Sequence, residues 1–350
     1  MLSLIAFAAL AQEPAAPAPP AFRPPPPAAT LPAAPDAGTE RSTGFRVTVV
    51  PGIGIDASPT AHVDGFSVGL VGQAASLDGF DGQLGLSMVK GEARGFQGAL
   101  GMAMADSVDG IQVSCGVSLS RGDVDMVQAS SGVNLAGGTV RGVQVAGGVN
   151  VAQTVEGVQA APLNVAESVD GVQAGLLNVG GDAKGLQIGL VNVARTSEVS
   201  IAPVNLIGDG LHRVDVWTSD SAVMSGAVKF GSKQVYTLLG AGWVGVDQPW
   251  WTFGGGLGLH LQKGPLWVEV DDSVWGLASG KLLAPGVHNK LRMQVGADLV
   301  GRHLAPFVGV SVNTWVGTGA IWPRAVDLPQ RISRDRTVAT WPGVHAGVSF

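Results

Sequence analysis

The chain has 350 residues, room for two domains or for one large all-β domain. Only 14 % are charged and 52 are glycine, whereas soluble domains carry about 25 % charged residues and about 7 % Gly, so the composition argues against an ordinary cytosolic enzyme. The net charge of −6 comes without a basic patch, which excludes nucleic acid as a partner, and no apolar run approaches the ~18 residues of a membrane helix.

In chain order, residues 1–11, "MLSLIAFAALA", read as a secretory signal peptide. A short apolar core precedes Ala9-Leu10-Ala11, an A-x-A cleavage site, although no Lys or Arg stands before the core. Residues 12–43 hold 10 of the 21 prolines and are expected to be a disordered, extended linker. Residues 44–64 read as a lead-in strand.

From 65 to 208 the sequence repeats itself. Glutamines recur at Gln83, Gln97, Gln112, Gln128, Gln144, Gln159, Gln173 and Gln187, and asparagines at Asn134, Asn150, Asn164, Asn178, Asn192 and Asn205. A short fixed period, rich in Val and Gly and without a 3.6-residue pattern, predicts a β-repeat domain. In a parallel β-solenoid of 14–16-residue repeats, equivalent amides stack and satisfy one another coil to coil. The alternative is one large β-barrel that includes the repeats as strands. Gln159 and Asn164 are five apart, so in a straight strand one amide of each pair would face lipid, which favours the solenoid.

After Gly208 the composition changes: all nine tryptophans lie at or beyond Trp217. In "WTFGGGLGLHLQ" one parity carries Trp251, Phe253, Leu257, Leu259 and Leu261, and the other carries Thr252, glycines, His260 and Gln262. Apolar residues alternating with small or polar ones predict an antiparallel outer-membrane-type barrel of about eight strands over 209–350. The expected strands are 211–218, 222–230, 235–246, 251–262, 266–277, 291–300, 304–317 and 339–350, with long loops at 278–290 and 318–338. Tryptophans near the strand ends (Trp217, Trp250, Trp251, Trp267, Trp275, Trp315 and Trp341) suit interfacial girdles.

The units "GLQIGLVNVA" and the passage "VNLIGDGLHRVDVWTS" resemble those of a bacterial surface-repeat family that pairs such repeats with a C-terminal β region. The resemblance covers about residues 65–245 and implies an outer-membrane or surface location. The terminal Phe350, on an alternating strand, is similar to the signal that delivers barrels to their assembly machinery. Expected partners are therefore outer-membrane lipid, the barrel assembly machinery, and a surface ligand or envelope protein.

One parity of the barrel gathers Arg213, Asp215, Lys229, His260, Glu269, Asp271, Arg292, Asp298 and His345. Paired carboxylates such as Glu269 and Asp271 serve acid–base chemistry or cation binding elsewhere. An eight-stranded interior is only wide enough for side chains, however, so these read as a self-paired network. Ser225 and Ser311 share the inward parity with His260 and His345, but no G-x-S-x-G elbow is present. Asp106, Asp109, Asp123 and Asp125 lack the G-G-x-G-x-D spacing of calcium-binding turns, and Cys115 reads as a small buried filler. No catalytic residue, cofactor or metal ligand is assigned. The expected function is non-enzymatic, as an adhesive, scaffolding or envelope-structural protein exported to the outer membrane or cell surface. The alternative is a pore or transporter formed by one large barrel.

Overall fold

Gly-Val-Gln and Asn-Val recur because each copy is one coil of a parallel β-solenoid. A computed structural model describes residues 42–244, 250–279, 282–283, 286–299, 304–317, 331–332 and 337–350. The expected signal peptide and nearly all of the linker lie outside the described residues. Every regular element among those described is a strand, in a solenoid of about ten turns followed by a closed eight-stranded antiparallel barrel.

Neighbouring coils pair in parallel with equivalent residues opposite one another: Gln144 with Gln159, Gln159 with Gln173, Asn150 with Asn164 and Asn164 with Asn178. Parallel pairing of consecutive copies overturns the single large barrel, whose adjacent strands would run antiparallel. Gln159 and Asn164 are both fully buried, because the chain turns a corner between Ala160 and Leu163 and both side chains point inward. Val140, Val155 and Val169, with Ala152 and Ala166, fill the other half of the coil interior. The segment expected as a lead-in belongs to the same stack: Ser42–Val50 pairs in parallel with His62–Ala74, placing Phe45 on Phe66. Phe66, Phe80 and Phe96 continue that row as stacked rings 4.8 and 4.9 Å apart.

The barrel strands are Leu211–Ser219, Ala222–Gly231, Val235–Trp243, Trp250–Lys263, Leu266–Ser279, Gly286–Ala297, Ala305–Gly317 and Thr337–Ser349. Each pairs antiparallel with the next, and the last closes on the first, with Val216 opposite Val348. Two expectations are corrected here. The sixth strand begins at Gly286 rather than 291, so much of the loop drawn at 278–290 is strand. Of the expected girdle, Trp217, Trp267, Trp275, Trp315 and Trp341 are buried and help fill the barrel; Trp251 is exposed on the outer wall. The expected loop at 318–338 lies mostly outside the described residues.

Outside, Leu257, Leu261, Val308, Val310 and Val344 belong to a broad band of exposed aliphatic side chains. Asp272 interrupts the outward row and accepts a hydrogen bond from Asn289 Nδ2 at 2.6 Å. Solenoid and barrel are joined by only Gly208, Asp209 and Gly210. Thr237, on an outward row of the third barrel strand, donates through Oγ1 to the Ala202 carbonyl of the last coil at 2.7 Å. Lys233 pairs with Asp209 at 2.8 Å across the same junction.

Candidate functional site

Two constellations concentrate the polar chemistry. The first is the barrel lumen, where alternation turns every second side chain inward and burial forces ionised groups to find partners. Lys229 Nζ lies 2.5 Å from Asp215 Oδ2 and also pairs with Glu269. Glu269 further accepts from Gln294 Nε2 at 2.6 Å and contacts His260 Nδ1 at 2.8 Å. Arg292 holds Asp271 in a two-pronged contact, Nε to Oδ1 at 2.8 Å and Nη2 to Oδ2 at 3.0 Å, and Tyr236 donates its hydroxyl to Asp271 at 2.9 Å. His345 meets Gln294 Oε1 at 3.2 Å. Nearer the rim, Asp298 accepts from Arg213, from Gln262 and from the indole of Trp267. All nine inward-parity residues thus line one connected interior, with aromatic rings beneath its cations: Arg292 over Trp217, Lys229 over Tyr236 and Arg213 over Trp267.

Sequence reasoning missed two buried members, His288 and Lys290, because the sixth strand was started too late. Lys290 lies over the Trp275 ring, and His288 stacks on Trp341 and meets Asn313 Oδ1 at 3.1 Å. Extending the alternation of Arg292 and Gln294 backwards by two and four residues would have found both.

The second constellation is the amide core of the solenoid. Gln112, Gln128, Gln144, Gln159, Gln173 and Gln187 each donate Nε2 to the Oε1 of the glutamine one coil earlier, the first of them to Gln97, at 2.7–2.9 Å. The asparagines run the other way. Asn134, Asn150, Asn164, Asn178 and Asn192 each donate Nδ2 to Oδ1 one coil later, ending at Asn205, at 2.8–3.3 Å.

Gln83 is not on the glutamine ladder. Asp81 stands opposite Gln97, and Gln83 lies opposite Ala99, where it donates to Asp81 Oδ1 at 2.7 Å. Aligning Gly79-Phe80-Asp81 with Gly95-Phe96-Gln97, rather than counting glutamines, exposes the true register. Continuing towards the N-terminus, Ser67 and Arg46 occupy the ladder position, and Arg46 is 1 % exposed with Nη2 on the Gln73 carbonyl.

Compared with protein-family models, curated proteins and solved structures, the chain matches none.

The remaining candidates are placed as follows. His260 and His345 hydrogen-bond Glu269 and Gln294, and among the described residues no serine hydroxyl hydrogen-bonds to either. Ser311 accepts from Asn313 and Ser225 Oγ is unpartnered. In the solenoid turns Asp106 pairs with Arg121 at 2.7 Å, while Asp123 and Asp125 share Arg141 at 3.0 and 3.1 Å. Among the described residues, no three His, Cys, Asp or Glu side chains come together to hold a metal ion. A cleft of about 950 Å³ opens at the junction rim, lined by His212, Arg213, Lys233, His260, Gln262 and Asp298 among others. Phe350 pairs through its backbone with Val214 and exposes its ring. Cys115 is exposed at a coil corner, which corrects the buried filler.

Proposed function

We propose that the chain is a non-enzymatic protein of the bacterial outer membrane, in which the barrel anchors and the repeats scaffold. One observation carries this reading. The barrel is inverted relative to a soluble domain, with aliphatic side chains outside and a charged, hydrogen-bonded network inside. A closed barrel leaves no sheet edge unpaired, which is what hydrocarbon demands of a strand protein. Asp272 is the costly residue on the outer wall, and its hydrogen bond to Asn289 lowers that cost.

An anchor differs from a conduit in what occupies its centre. Here Trp217, Trp267, Trp275, Tyr236 and the paired charges take up the lumen, as the bore of eight strands requires. The pore reading needed the repeats as further strands, and their parallel stacking removes that geometry. The likeness of the repeats to bacterial surface-repeat units supports an envelope role.

Fractionation and planar-bilayer recording test the proposal together. The protein is expected in the outer-membrane fraction, to need detergent for monodispersity, and to give no conductance steps. A product that stays monodisperse without detergent overturns membrane anchoring; stable unitary conductance overturns the filled anchor.

A further inference from the structure

Each coil from Phe96 onward contains one arc without charge. It begins just before the glutamine position, rounds the corner and ends just after the asparagine position. The eight segments are FQGALGMAM (96–104), IQVSCGVSL (111–119), VQASSGVNL (127–135), VQVAGGVNV (143–151), VQAAPLNV (158–165), VQAGLLNV (172–179), LQIGLVNV (186–193) and VSIAPVNL (199–206). All thirteen charged residues between Phe96 and Leu206, nine acidic and four basic, fall in the intervening arcs. In-register stacking turns this into a surface: one long side of the solenoid is free of charge and the other carries all of it.

Within the uncharged arc the usual order of inside and outside is reversed. The amides are turned inward and fully buried, while aliphatic side chains face out: Leu100 and Leu176 are 58 % exposed, Leu190 56 %, Leu206 55 % and Ile188 42 %. Eight rungs at about 4.8 Å give a strip on the order of 35 Å long. An apolar strip of that extent exceeds what soluble monomers usually leave in water. Its sheets bond their backbone groups coil to coil, so it can meet hydrocarbon without unpaired amides.

We infer that this arc lies on the acyl chains of the bilayer that holds the barrel, so that the solenoid is an amphipathic membrane-bound element. The inference rests on the membrane reading of the barrel and extends it to the repeats. What selects lipid over another occupant is continuity. The corner of the last coil, at Ala202, already touches Thr237 on the outer wall of the barrel, so the apolar arc begins where the lipid-facing wall is. The charged arc then faces water, the disposition of an interfacial amphipathic helix.

Cys115, the sole cysteine, sits exposed on the corner of the second of these segments and supplies a native probe site. The full-length protein is labelled there with bimane and reconstituted into phosphatidylcholine vesicles containing brominated acyl chains. In a Cys115→Ser background, Leu190→Cys gives a second arc position, Val308→Cys reports the barrel wall and Asp170→Cys reports the charged arc. Bimane at Cys115, L190C and V308C is expected to be quenched at least twofold more by brominated lipid than at D170C, with the reverse order for aqueous iodide. Quenching by lipid at V308C alone, with the arc open to iodide, overturns the inference and leaves the membrane reading standing. Arc positions shielded from both quenchers also overturn it, because protein, such as a second copy of the chain, then covers the strip. No lipid quenching at V308C overturns both.

Discussion

The side-chain oxygens of Asn134 and Gln187 both lack a hydrogen-bond donor: Asn134 opens the asparagine ladder and Gln187 closes the glutamine ladder. The two ladders run in opposite directions, so each ends on an acceptor that the adjoining coil supplies with no amide donor. Before Asn134 the equivalent residue is Ser118; after Gln187 it is Ser200. Replacing Ser118 by Asn should place an Nδ2 donor under Asn134 Oδ1. The next coil already holds Asn134 beside Ser130, the counterpart of Ser114, so the space exists. The substitution is expected to stabilise the protein by about 1 kcal/mol, read as a raised urea midpoint.

Glu269 receives Lys229, His260 and Gln294 at once. Its replacement by Ala leaves a buried ammonium with Asp215 alone and strands two further polar groups. A loss of about 3–5 kcal/mol is expected in detergent unfolding. Lys229→Met combined with Glu269→Leu and Asp215→Leu should recover part of it, since the ammonium and both of its carboxylate partners then leave together.

Met126 stands in a row of glycines, opposite Gly110, with φ of 95° where an L side chain is strained. Met126→Gly should relieve that strain and raise stability by about 1 kcal/mol. Gly171→Ala should do the opposite, because a Cβ there would come within 2.0 Å of the Gly157 carbonyl oxygen one coil below. The expected loss is about 1–3 kcal/mol, measured by thermal unfolding.

Two turn carboxylates make the solenoid acid-sensitive. Hydrogen bonds from Arg195, then from Thr196, hold Asp182 below the usual carboxylate range; the Thr139 backbone N–H, then Arg141, does the same for Asp123. A depressed folded value means the unfolded chain takes up protons first as pH falls. The stabilisation is therefore full above the unfolded value near 3.9 and is lost as pH drops through the folded values. Both groups are largely solvated, so the effect is small and screened by salt. Asp182→Asn with Asp123→Asn should flatten the stability profile below about pH 4, the unfolded carboxylate range, followed by far-UV circular dichroism.

The solenoid was legible wherever neighbouring coils repeat the same amide, because a ladder needs identical groups in register. It became illegible where the chemistry changes while the backbone does not. Asp81, Ser67 and Arg46 continue the glutamine row under other names, and Gln83 diverts a count made by residue type. In the barrel, alternation placed Glu269 and Asp271 inward, and the same parity places Trp267 and Trp275 inward too. Tryptophans in membrane strands favour the interfaces, but side-chain parity within the strand decides which face of the wall each one takes. Cys115 was misjudged because free cysteine is usually buried, whereas here the corner of an uncharged arc faces outward.

Coils of sixteen, fifteen and fourteen residues share one stack. From Gln144 to Gln159 and on to Gln173 the repeat shortens, yet every amide keeps its partner. The slack is absorbed at the corners, since Asn150 follows Gln144 by six residues and Asn164 follows Gln159 by five. Such a stack can grow or shrink by whole units through duplication or loss of a short stretch of coding sequence. Each new coil would meet on both sides the chemistry it carries itself, so the reach of the protein can evolve without redesign of its interior.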